Sequence, residues 1–371
     1  MVVKLEELIE VPGRYDEVCV NKDHIVGSRI TFGKEDHYLD LLAHDGKLVK
    51  QFGKDHARRF LPSKILYRDF NPFGGPGDFT LFTLVGAYIS YVPQVIYNAA
   101  TSALQNNEPR HLAKAKDHIK YPMSIACTDD RIFVLDYGTF WLNNAVSYEV
   151  TTANIAVFDN DGNGIKKMLS LGQDAGHIAF HPNTRRYAAI QVKDDKLYLL
   201  DQGEGLRLQR FDLEGNLEQV IFQEHIPYQF HSYCDFAVGN DCIYITLDGG
   251  KDECWNSVGK ITMDGSFEVF DLSALCRLTD GIAVTDQGVI VRDRDAFHTF
   301  TYGMEHAGTC RIPELESSGF EYRLLSDSHS LAYNKCHLYA PVTLGGAVTH
   351  HLDGTMEKKK GHMWVAKMKV D

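Results

Sequence analysis

Gly281 to Ile290 reads GIAVTDQGVI, an apolar strand, a short polar turn and a second apolar strand. The same spelling returns without a gap at Glu17 to Val26 (EVCVNKDHIV), Ser124 to Phe133 (SIACTDDRIF), Asp235 to Tyr244 (DFAVGNDCIY) and Ser330 to Tyr339 (SLAYNKCHLY). A sixth copy is read at His177 to Phe180 (HIAF), continuing through HPNTRRYAAI with a slightly longer turn. Apolar runs separated by Asp, Asn and Gly are hairpin signals. One hairpin is therefore repeated along the chain. In several units a second hairpin follows, turning on Asp-Gly or Glu-Gly: Leu39 to Phe52, Ile155 to Leu171, Leu208 to Phe222 and Ile261 to Phe270. Two hairpins make a four-stranded sheet, and sheets recurring at about fifty residues are the mark of propeller blades.

The ends of the chain fit a closed ring. The last unit supplies two strands at Ser330 to Val342 and a third at His362 to Val370. Val2 to Val11 (VVKLEELIEV) is the natural fourth, and pairing it there removes an open sheet edge. The expected fold is all-β: one six-bladed β-propeller over residues 1–371, its blades beginning near Tyr15, Tyr121, Asp174, Gln229, Arg277 and Asp327. Seven blades are the alternative, with Asp78 to Lys120 as a blade of its own. That stretch lacks the hairpin pattern, so it reads as part of an insertion at about 54–120 after the first blade. Phe79 to Leu104 is uncharged, and Gln105 to His118 is polar and expected to be helical. Pro93 and the Thr, Ser, Tyr, Asn and Gln content of the uncharged run argue against a membrane span and for burial against the ring or capping of a channel mouth.

Composition narrows the function classes. A formal charge of -12 repels phosphate backbones, and the longest basic run is Lys358, Lys359, Lys360, so nucleic acid is not an expected partner. The 8 cysteines have no CxxC pair and no zinc-ribbon spacing, and they read mostly as free buried thiols. Charges at Lys4, Glu6, Glu7 and Glu10 leave no signal-peptide core, which suggests a cytoplasmic chain; a leader lying upstream would make it periplasmic or cell-surface. A monomer is expected. No HExxH, GxSxG, Walker or GxGxxG element is present.

GIAVTDQGVIVRD at 281–293, and IAVFDNDG followed by Ser170, Leu171 and Gly172, resemble the NHL and TolB-like six-bladed propellers. DGKLVKQFG at Asp45 to Gly53, followed after an insertion by GGPGDF at Gly74 to Phe79, resembles the passage leading to a GxGPGEF element in TolB-like propellers of gut Bacteroidetes. Here the intervening stretch is long and Asp78 stands for Glu. The resemblance covers most of the chain and implies a fold, with a binding role for a small molecule, peptide or protein partner.

Taking the first strand of each blade to line the channel places equivalent residues in rings. One ring collects Glu17, Ser124, His177, Asp235, Gly281 and Ser330; the ring before it collects Asp16, Met123, Gly176, Cys234, Asp280 and His329. Converging carboxylates can bind a divalent cation in the channel, with His177, His329 or Asp235 as an acid, base or ligand. The plainer alternative is that these side chains hydrogen-bond neighbouring blades. Asp16 and Asp280 also match the two acidic metal ligands of gluconolactonase and regucalcin-type propellers, implying a metal-dependent hydrolase or lactonase as the rival function. Met123, Gly176 and Cys234 stand where those families place further ligands. Asp159 to Gly164 (DNDGNG) opens like an EF-hand loop, but Lys167 and Ser170 fill its ninth and twelfth places, so a tight hairpin turn is the expectation. His350, His351 and His362 are expected in an exposed loop.

Overall fold

A computed structural model of the chain describes residues 1–13, 15, 17–29, 38–53, 116–119, 122–143, 147–179, 188–202, 205–224, 235–247, 256–276, 279, 281–293, 296–311, 331–344, 347–350, 356–359 and 362–371. These form six four-stranded antiparallel sheets and one small hairpin, with no helix among the described residues. The uncharged run and most of the helix expected at Gln105 to His118 lie outside the described residues; Lys116 to His118, which are described, are not helical.

The first blade is β1's neighbour in the ring and runs β2 (Glu17–Val20), β3 (Ile25–Arg29), β4 (Tyr38–Leu42), β5 (Leu48–Phe52), where β1 is Val3–Glu10. The second runs β6 (Pro122–Cys127), β7 (Arg131–Asn143), β8 (Ser147–Asp159), β9 (Gly164–Met168), and the third β10 (Ala188–Lys193), β11 (Lys196–Gln202), β12 (Leu206–Asp212), β13 (Leu217–Glu224). The fourth comprises β14 (Phe236–Val238), β15 (Cys242–Leu247), β16 (Ser257–Thr262) and β17 (Phe267–Asp271). The fifth comprises β18 (Gly281–Val284), β19 (Val289–Asp293), β20 (Ala296–Phe300) and β21 (His306–Arg311). In the sixth, β22 (Ala332–Asn334), β23 (His337–Leu344) and β26 (His362–Val370) are completed by β1. The closing register runs from Val3 opposite Val370 to Glu10 opposite Trp364. Between β23 and β26 a separate hairpin, β24 (Ala347–His350) with β25 (Met356–Lys359), replaces the loop expected around the tail histidines.

Hydrophobic burial explains the ring. There is one apolar cluster at each joint between neighbouring blades, six in all, the last joining Val18, Val20 and Ile25 of the first blade to Tyr339 and Val365 of the sixth. Neighbouring residues of one inner strand serve opposite joints. Ile125 packs toward the first blade and Ala126 toward the third; Ile282 packs toward the fourth and Ala283 toward the sixth. The two-residue period of a strand thus becomes a radial sheet with both faces buried.

The outer hairpins share one turn. Backbone pairs Asp159 N to Asn163 O with Gly162 N to Asp159 O, and Asp212 N to Asn216 O with Gly215 N to Asp212 O, repeat at Ala43–Lys47, Thr262–Ser266 and Thr301–Glu305. The fourth turn residue is left-handed each time: Gly46, Gly162, Gly215 and Gly265, with Met304 in the fifth blade. This is the Asp-Gly signal of the sequence made structural.

One strand assignment needs correcting. His177 to Phe180 is not the inner strand of the third blade, which is Ala188–Lys193. His177 and Ile178 instead belong to the segment entering that blade, where Ile178 makes a lone parallel bridge to Leu171.

Candidate functional site

Radial sheets turn an edge, not a face, toward the axis. The inner strands therefore present unpaired N–H and C=O groups to the channel, and these need partners. Side chains from the adjoining blade supply many of them. Glu17 accepts from Ile125 N at 2.8 Å, joining blades one and two. Ser124 Oγ accepts from Ile190 N at 3.1 Å, joining two and three. Gln191 bridges three and four, donating to Phe236 O at 2.5 Å and accepting from Val238 N at 3.0 Å. Asp235 accepts from Phe236 N at 2.9 Å and from Ile282 N of the fifth blade at 3.4 Å. Tyr333 hydrogen-bonds Asp286 across the next joint, and Asn334 donates to Val20 O at 3.1 Å across the last.

The expected ring residues are thus placed in two ways. Glu17, Ser124 and Asp235 sit at or beside the starts of the inner strands of blades one, two and four, and each bonds the backbone of the next blade. His177 is removed from that set by the strand correction above. Its carbonyl accepts from Arg207 Nη2 at 3.0 Å and Gln209 Nε2 at 2.9 Å, while Arg207 also holds Gln173 O at 2.6 Å. Arg207 in turn grips Asp201 with two bonds, Nε to Oδ1 at 2.9 Å and Nη2 to Oδ2 at 2.8 Å, both side chains being almost wholly buried. Burial pushes the Asp201 carboxyl up, against the opposing pull of Arg207. Asp16, Asp280, His329 and Ser330 lie outside the described residues, as does Cys234; Met123 and Gly176 are described but partly buried.

At the end where the inner strands run into their hairpin turns, the channel opens as a cavity of about 370 Å³. All six blades contribute. Val18, Ile125, Val238, Val284 and Leu331 form part of its wall, but the lining it presents is more polar than apolar, with Lys193, Asn240, Asp286, Tyr302 and Tyr333 among the polar residues. Lys193 Nζ donates to Asn240 Oδ1 at 2.7 Å, and the Tyr302 hydroxyl donates to Thr285 O at 2.7 Å. Burial and the nearby Asp286 carboxylate raise the phenols of Tyr302 and Tyr333. Cys19 and Cys127, on adjacent inner strands, also line the cavity. Burial, with Cys127 beside it, holds the Cys19 thiol well above its ordinary value.

A second group of chemically capable residues lies at the joint of blades four and five. Cys276, Asp293 and His298 are all buried, and their ligand atoms lie within 4.8 Å of one another. Val291 pairs with His298 in the β19–β20 register, so Asp293, two residues on, shares the histidine's face. Cys276 is delivered from the connection after β17, whose turn closes through Leu275 N and Cys276 N to Leu272 O, both at 2.8 Å. Burial and the charge of Asp293 push the Cys276 thiol up to about 12.

The EF-hand-like opening is a turn, as its sequence suggests. Asp159 Oδ1 accepts from Asp161 N at 3.0 Å and Asn163 N at 2.8 Å, and Asp212 does the same for Glu214 N and Asn216 N at 2.9 and 2.8 Å. Of the tail histidines, His350 lies in β24 and pairs with Met356, His362 starts β26, and His351 is outside the described residues.

No family model matches the chain. No curated protein matches it either. Among solved structures, it is similar to a protein of unknown function from Bacteroides caccae, determined at 1.35 Å resolution, with 11% identity. The match covers 86% of this chain and 82% of that one, at a TM-score of 0.43.

Proposed function

We propose that this protein is a non-catalytic binding propeller of TolB-like or NHL type. Its ligand, a small molecule or the tip of a peptide or protein loop, enters the channel cavity at the hairpin-turn end. The observation that carries this reading is the cavity itself, to which every blade contributes wall. Its volume of about 370 Å³ falls within the range of small-ligand pockets. A mainly polar lining interrupted by apolar side chains suits a polar ligand oriented by hydrogen bonds, with a smaller contribution from apolar burial.

The state of the ionisable groups favours binding over chemistry. Tyr302, Tyr333 and Cys19 are all held in their neutral forms by raised pKa values, the opposite of what a nucleophile or base near neutrality needs. Glu17 and Asp235 spend carboxylate oxygens on the backbone of adjoining blades. The test is a thermal-shift panel of small polar molecules and short peptides, run on the native chain and on Asn240→Trp, which places an indole at the cavity mouth. Hits lost in Asn240→Trp and recovered chemically intact support the reading. Hits that survive the blockade, or that return as altered products, contradict it.

A further inference from the structure

We propose that Cys276, Asp293 and His298 form a binding site for one divalent transition-metal ion of the zinc class, pinning the connection between blades four and five to the fifth blade. The case rests on geometry and on donor chemistry. Three different ligand types converge from two separate chain segments, with all their donor atoms within 4.8 Å and His298 Nε2 at 3.9 Å from Asp293 Oδ2. Bonds of about 2.0–2.3 Å in a tetrahedral arrangement set ligand atoms roughly 3.3–3.8 Å apart. Drawing the three together therefore takes side-chain rotation of under about one ångström, without rebuilding the backbone.

The surroundings orient the imidazole for this role. His298 Nδ1 lies 3.0 Å from Thr309 Oγ1, which lies 3.1 Å from His306 Nε2. The chain is satisfied in either of two directions, and metal binding selects the one with His298 Nδ1–H donating to the threonine and the threonine hydroxyl donating to His306. His298 then carries its lone pair on Nε2, the atom that faces Asp293, and a histidine ligand is commonly fixed through its other nitrogen in this way.

Donor type selects the metal class. A thiolate and an imidazole are softer than the oxygen shells of calcium and magnesium, and three protein ligands leave a fourth position for another group. Binding exchanges the thiol proton for the metal, and the released proton goes to solvent. Burial of the three residues at 1%, 8% and 4% exposure makes the site part of the joint rather than of the channel mouth. A stabilising pin, independent of the ligand cavity, is its physical consequence.

The full chain, stripped with a chelator, is titrated with cobalt(II) and then zinc(II). The expected result is uptake of one cobalt per chain with a thiolate-to-metal charge-transfer band and the intense visible absorption of four-coordinate cobalt, displaced by zinc. Cys276→Ala abolishes the charge-transfer band. His298→Gln and Asp293→Asn weaken binding at least tenfold, and the zinc-induced rise in Tm is lost with it. Cys336→Ala is the control: Cys336 is exposed beside His337, which pairs with Glu6, and is the competing surface site. Its replacement leaves the band unchanged. If Cys276→Ala does not fold, the His298 and Asp293 variants decide. No uptake, a band that persists in Cys276→Ala, or one that disappears in Cys336→Ala overturns the proposal.

Discussion

Replacing Arg207 by Met isolates the buried charge network that fixes the segment entering the third blade. Arg207 and Asp201 are exposed at only 3% and 0% of their side chains, and the pair is joined by two bonds of 2.9 and 2.8 Å. Two further bonds hold the carbonyls of Gln173 and His177. Removing one partner of a buried pair costs about 3–5 kcal/mol, because the remaining charge stays buried. Asp201 retains the Ala179 N–H at 2.8 Å, which puts the expected loss at the lower end, about 3 kcal/mol. The double variant Asp201→Asn/Arg207→Met removes the stranded charge, and it should be more stable than Arg207→Met alone by roughly 1–2 kcal/mol. Acidity supplies an internal check. The Asp201 carboxyl already has a raised pKa, and loss of the guanidinium raises it further. A raised folded-state carboxyl favours the folded state as pH falls, so the deficit of Arg207→Met should shrink in acid. Urea denaturation of the four-member cycle measures all of this. A loss under about 1 kcal/mol for Arg207→Met, or strictly additive single effects, refutes the reasoning.

Two further outcomes follow from the turns and the outer ion pairs. Gly46→Ala should cost more than Gly215→Ala: both have left-handed backbone, at φ +84 and +93, but an added Cβ meets the Glu10 carbonyl oxygen at 2.2 Å in the first case and the pliable Met168 sulfur at 3.0 Å in the second. The dihedral costs about 1–2 kcal/mol at both sites, so equal urea midpoints would count against the close approach of the Glu10 carbonyl to Gly46. Glu214 links the third blade to Lys166 and Arg131 of the second, and hydrogen bonds from these two cations hold its pKa below the usual glutamate range. Its stabilisation is present above the unfolded-state pKa and is lost as pH falls through the folded value. The Tm gap between native chain and Glu214→Gln should therefore close in acid; a gap that is constant or widens there contradicts the assignment.

The architecture was legible because each blade repeats the same physical solution. A two-residue apolar alternation and an Asp-Gly turn specify a hairpin locally, and the strand missing from the last unit pointed to Val2–Val11 as its complement. The third blade was harder to read. HIAF spells an inner strand, whereas the strand that occupies the place is AAIQVK, whose Gln191 breaks the apolar pattern to bond the edge of the fourth blade. Site chemistry was less legible. Side chains at the starts of inner strands do not simply face the axis, because burial of both sheet faces turns them toward the joints, where Glu17, Ser124 and Asp235 bond backbone. Cys276, Asp293 and His298 carry no motif spacing. Only the β19–β20 register, with Val291 opposite His298, brings the acid and the imidazole to one face.

Pairing of the two ends of the chain closes the ring, and a cross-link measures that pairing directly. Lys4 and Lys369 are exposed register partners on β1 and β26. With Cys336 changed to Ala, Lys4→Cys/Lys369→Cys should oxidise to an intramolecular disulfide in the folded chain. Closing so long a loop should also raise stability, by up to about 5–6 kcal/mol. Failure to cross-link under native conditions, or cross-linking only between two chains, contradicts the closed ring.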